Sequence, residues 1–152
     1  MTFPSIFSAE VAEKFTQRIN SLTASTQPQW GKMNVAQMLA HCCVSYEMAF
    51  ENKHKKPNAI LRLILKAFVK PLVCTDKPYK KNSQTAPAFL ITDERVFETE
   101  KNRLIAFVNK TVEVGEDFFK GKESLSFGKL TLDEWNSMFY KHLDYHLSQF
   151  GV

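Results

Sequence analysis

Residues 130–151 read LTLDEWNSMFYKHLDYHLSQFG. Thr131, followed three positions later by Glu134, has the spacing of a capping box, in which two side chains satisfy the free backbone N–H groups of a helix start. Gly151 follows the last periodic residue and suits a C-terminal cap. Between these signals Trp135, Met138, Phe139, His142, His146 and Phe150 recur at helical spacing and share one face. The face is apolar except for its two histidines. Burying a neutral imidazole without a partner costs on the order of 2 kcal/mol, so the pair predicts a polar or metallic partner inside the fold. His142 and His146 stand one turn apart and can reach one ion.

A useful site needs a third ligand, and the chain has four histidines. His54 lies in the charged run 51–56, ENKHKK, and is expected to be solvated. His41 belongs to a second helix. That helix starts at Asn34, which with Gln37 repeats the capping-box spacing. It carries Val35, Met38, Leu39, Cys42, Tyr46, Ala49 and Phe50 on its apolar stripe. Facing helices can bring His41 against the pair. Three imidazoles favour zinc, nickel or iron over magnesium or calcium. Three protein ligands also leave a coordination position open. Cys42 and Cys43 point about 100° and 200° away from His41 on an ideal helix and read as core residues. A lone helical histidine is more often a surface or hydrogen-bonded residue than a ligand. The residues by themselves leave both readings open.

Elsewhere, residues 8–22 predict a first helix with Ser8 as N-cap and Val11, Phe15, Ile19 and Leu22 on its inner face. Residues 23–29 read as a loop. Residues 58–70 form a short amphipathic piece, either a helix packed on the bundle or a basic face for a membrane or acidic partner. Residues 71–92, with Pro71, Pro78 and Pro87, look irregular. A connection of that length is functional or a crossover. A helix is expected over 93–112, with Val96, Glu100, Leu104, Phe107, Val108 and Thr111 along one side, and a loop over 113–129. No strand pattern appears. The expectation is a single all-α domain over 1–152, with four main helices and one additional short one.

Composition narrows the function classes. Hydrophobic residues make up 44% and charged residues 24%, the balance of a soluble globular chain. The formal charge of +4 is spread along the sequence, and the aromatics sit on apolar stripes. Both argue against nucleic-acid binding. No apolar run approaches the roughly 20 residues of a membrane span, and the first residues lack the pattern of a signal peptide. Three cysteines make neither a disulfide framework nor a CxxC site and fit a reducing cytoplasm.

Three segments resemble a known superfamily: 30–42 (WGKMNVAQMLAHC), 76–87 (DKPYKKNSQTAP) and 127–151 (FGKLTLDEWNSMFYKHLDYHLSQFG). They are similar to DinB/YfiT-like proteins, the last two to an uncharacterised branch of them. The resemblance implies a four-helix bundle with a long crossover, often a homodimer. It also implies a divalent metal on one histidine of the second helix and an HxxxH pair of the last, here His41, His142 and His146. Tyr145 departs from the branch, which usually has another histidine there. Ser126 departs too, where a proline or bulky apolar residue is usual.

Activities in the wider superfamily imply metal-dependent transfer of a low-molecular-weight thiol to a small-molecule substrate. Tyr145 and Ser45, three and four residues from ligands, are candidates to support the imidazoles. Hydrolysis ranks second, because no carboxylate stands where a general base is needed; Asp144 lies about 200° from His142. A non-catalytic, metal-stabilised binding or stress protein is the alternative of a different class.

Overall fold

The computed structural model describes residues 2–152. Helix α1 spans Ala9–Ser21, where Ser8 accepts the Val11 N–H as N-cap. Helix α2 spans Val35–Phe50 and opens with the Asn34–Gln37 capping box. Helix α6 spans Leu132–Gln149 behind the Thr131–Glu134 box. These caps satisfy N–H groups that the first helical turn leaves free, and so set where each helix begins.

The long helix α5, Phe97–Phe119, completes a mostly helical fold in which α5 packs on α1 and α2, and α6 packs on α1, α2 and α5. An aromatic stack fills the centre. Tyr46 lies parallel to Phe139 at 4.6 Å and to Phe107 at 5.7 Å. Cys42 and Cys43 are fully buried and free. No helix among the described residues is long and apolar enough to cross a membrane.

Three expectations need correction. First, α5 starts at Phe97 rather than residue 93, which leaves Val96 exposed at the N-cap, and it runs past Val112 to Phe119, with a break at Gly115, whose φ is +64° and ψ −174°. Phe119 is wholly buried against Phe7, Trp135 and Phe139, so tertiary packing holds a turn that glycine alone would end. Second, the expected loop 113–129 also contains a hairpin of two-residue strands, β1 (Glu123–Ser124) and β2 (Gly128–Lys129), too short to show alternation. Third, His54 is not solvated. It shares a 2.6 Å hydrogen bond with Glu47, a buried carboxylate that Lys53 and Arg103 also reach.

Residues 59–73 form α3 (Ala59–Ile64), one π-helical turn (Leu65–Val69) and α4 (Lys70–Val73). Pro71 causes the wide turn: it has no N–H, and its ring would press on the carbonyl four residues back. The Lys70 N–H therefore reaches five residues, to Leu65. The segment does pack on the core, through Leu65, Val69 and Val73. Its other face leaves Ile60 (73%), Leu63 (68%) and Phe68 (72%) exposed.

The irregular stretch that follows is tied down. Lys141 donates to the carbonyls of Leu72, Thr75 and Lys77 at 2.6, 2.5 and 2.9 Å. Gln37 donates to that of Asp93. Between these anchors a single 3-10 turn, Pro87–Phe89, crosses the outside of α2.

Candidate metal centre

The α2 and α6 capping boxes fix where each helix starts, and packing of the two brings His41 against His142 and His146. The Nε2 atoms of His41 and His142 are 2.9 Å apart. The ring centroids of the three imidazoles are separated by 4.5 to 4.9 Å. One ligand atom from each lies within 4.8 Å of the other two. His41 and His146 are buried, at 4% and 8% exposure, and His142 is partly exposed.

Hydrogen bonds assign the tautomers. The Nδ1–H of His41 donates to the Phe89 carbonyl at 2.8 Å. The Nδ1–H of His146 donates to Gln149 Oε1, also at 2.8 Å. Both rings therefore keep an unprotonated Nε2 turned toward the cluster. In the metal-free arrangement His142 Nε2–H bridges to His41 Nε2.

All three imidazoles are held neutral. Burial depresses the His41 pKa, against the opposing pull of the Phe89 carbonyl. Burial and then the neighbouring His146 and His41 push His142 well down. Burial, with His41 beside it, lowers His146 to about 3, although Gln149 acts the other way. Neutral imidazole is the form that binds metal. A zinc ion about 2.1 Å from each nitrogen sets neighbouring nitrogens about 3.4 Å apart, a value between the 2.9 and 4.8 Å seen here. Donor set, protonation and spacing all fit a divalent ion.

Phe89 also covers the centre. Its ring stands edge-on to His41 at 5.5 Å and to His142 at 5.8 Å. Two surface clefts, one lined by Pro4, Phe15 and Tyr140 and the other by Phe50, His54 and Phe118, do not touch the triad.

Of the two residues expected to support the imidazoles, neither bonds one. Tyr145 packs its ring edge-on against His146 at 5.0 Å. Its hydroxyl accepts from Trp30 Nε1 and donates to the Lys80 carbonyl. The Ser45 hydroxyl turns back on its own helix and donates to the Cys42 carbonyl at 3.0 Å, a bond that mid-helix serines commonly make. Asp144 is paired with Arg18 at 2.6 Å, away from the cluster.

The supporting groups are Gln149 and the Phe89 carbonyl, and sequence reasoning missed both. Gln149 had a readable signal, since it lies one turn beyond His146 on the same face. A backbone carbonyl in a long crossover has none.

Residues 7–151 match the family described as Protein of unknown function (DUF1569). The chain belongs to that family. In this DUF1569 chain the matched region takes in all three histidines, Gln149 and the crossover that carries Phe89. No curated protein and no solved structure matches it.

Proposed function

We propose that the chain is a divalent-metal protein of the DinB/YfiT-like four-helix-bundle kind and that it transfers a low-molecular-weight thiol to a small electrophile. One observation carries the reading: three neutral imidazoles from two helices converge, two of them with Nδ1 already engaged. His41, His142 and His146 would hold zinc, nickel or iron, the ions that suit an all-imidazole site. Bound there, the ion supplies positive charge that favours a thiolate over a thiol at neutral pH. The chain's own residues do the rest. Phe89 and Tyr145 wall the imidazoles and leave His142 partly exposed as the side from which a substrate would enter, and the Phe89 carbonyl and Gln149 keep the Nδ1 protons of His41 and His146 in place. The absence of a free carboxylate at the triad among the described residues supports thiol transfer over hydrolysis, since Asp144 is engaged by Arg18.

The cover provided by Phe89 favours a second reading, in which the ion only stabilises the fold. One experiment separates the two. Metal-loaded protein is incubated with panels of small thiols and electrophiles, and free thiol is followed, with His142→Ala as control. Thiol loss with the wild type alone supports the transferase. No loss, with a melting temperature that drops on chelation, transfers the site to the structural reading.

Assembly as a homodimer belongs to the same proposal. Ile60, Leu63, Phe68 and Leu72 leave an apolar face on α3 and α4. Of the cations beside it, Arg62 and Lys70 are drawn to Glu123 and Glu134, and Lys66 stays exposed. A face with one exposed cation, Lys66, and two engaged ones offers little to anionic lipid and suits the same face of a second copy better. A cytoplasmic location is part of the proposal and rests on the three free cysteines.

A further inference from the structure

Gln149 is buried at the end of α6, and every polar group it has is used. Its Oε1 accepts the His146 Nδ1–H at 2.8 Å. Its Nε2 donates to the Trp30 carbonyl at 2.6 Å, and its own carbonyl accepts the Gln29 N–H at 2.8 Å. An amide held by its nitrogen cannot flip, so the oxygen must face His146. The loop that holds it is built for close approach. Gly31 has φ +89°, and a Cβ there would lie 2.4 Å from Gln149 Nε2. Only glycine lets residues 29–31 lie against the amide.

We infer that Gln149 is a positioning residue, locked by the Trp30–Gly31 turn, that fixes His146 in the tautomer whose Nε2 lone pair faces His41 and His142. The inference rests on the metal reading for its purpose but not for its geometry. Removing the oxygen frees the His146 proton to occupy either nitrogen. Partners of this kind typically change metal affinity by about 10- to 100-fold.

The test uses the full chain, metal-free and then titrated with Zn²⁺ alone. Long-range nitrogen–proton NMR reads which nitrogen of His146 carries the proton, and competition with a chromophoric chelator reads affinity. Wild type should show His146 protonated at Nδ1. Gln149→Met, which keeps the volume and loses the acceptor, should show a mixture and bind Zn²⁺ about 10- to 100-fold more weakly. Gln149→Glu keeps an acceptor and should retain the Nδ1–H form. Gly31→Ala, which displaces the amide from outside α6, should behave like Gln149→Met.

A purely structural role would lower the melting temperature and leave the tautomer alone. An unchanged tautomer in folded Gln149→Met overturns the inference. So does a wild-type His146 protonated at Nε2, a result that needs no variant. If wild type binds no Zn²⁺ yet its tautomer shifts as stated, positioning stands and the metal reading fails.

Discussion

Lys141 shows how much one side chain near the centre does without touching it. It is buried beside the first α6 histidine, and its ammonium closes the end of α4 by binding three carbonyls. It also lies 4.5 Å from the Tyr79 ring centroid. Burial lowers its pKa to about 8, although Cys74 and Asp76 pull the other way. Replacing it by methionine keeps the stem and leaves three carbonyls without their cation. Lys141→Met should lose about 3 kcal/mol of stability, from the charge-assisted bonds and the acceptors left bare. Urea unfolding measures it, and a loss under about 0.5 kcal/mol, the scale of an ordinary surface change, would refute the anchoring role. Nothing in the sequence distinguished Lys141 from the other lysines, because its partners are backbone groups of a segment without periodicity.

At the scale of elements, the break in α5 isolates a backbone effect. Nothing lies within 4 Å of a Cβ built at Gly115, so alanine there meets no clash. Its cost is the φ of +64° with ψ −174°, a region nearly confined to glycine. Gly115→Ala should therefore destabilise by about 1–3 kcal/mol; a neutral or stabilising result in thermal unfolding would mean that the helix simply straightens. The α3–α4 face makes a different prediction. If it covers a second copy, Leu63→Glu with Phe68→Glu should convert the dimer to monomer in light scattering without loss of helicity. A wild type that is monomeric at all concentrations removes the dimer.

Three helix starts were legible because caps are local chemistry: Ser8, Asn34 and Thr131 each hold the bonds their spacing predicts. The start of α5 was not, because Val96 at its N-cap makes no side-chain bond. The extension of α5 was not, because Phe119 is fixed by residues far away in the chain.

Across the whole molecule, electrostatics hold α2 to α5. Burial raises the Glu47 pKa, but Lys53, His54 and Arg103 outweigh it and keep the carboxyl below its ordinary value of 4.5. The unfolded chain therefore takes up the proton more readily than the folded one. This contribution is complete above the unfolded value and is lost as pH falls through the lower folded one. Stability should drop on acidification below about pH 4.5, and Glu47→Gln should flatten that limb. An unchanged acid limb in the variant would move the effect elsewhere.

The same scale shows why the triad was legible and its surroundings were not. His142 and His146 interrupt an apolar stripe, and their pairing with His41 needed only that two capped helices face each other. The cover by Phe89 depends on a crossover whose path is set by Lys141 and Gln37, which no spacing reveals.

The proposed function stands or falls with binding of a divalent ion by the three imidazoles. Its most direct test is metal analysis of protein purified without an affinity tag from metal-replete cells, beside His142→Ala. Wild type should carry about one ion per chain, as a three-histidine site holds, and the variant should lose most of it. Equal, near-zero metal in both would contradict it.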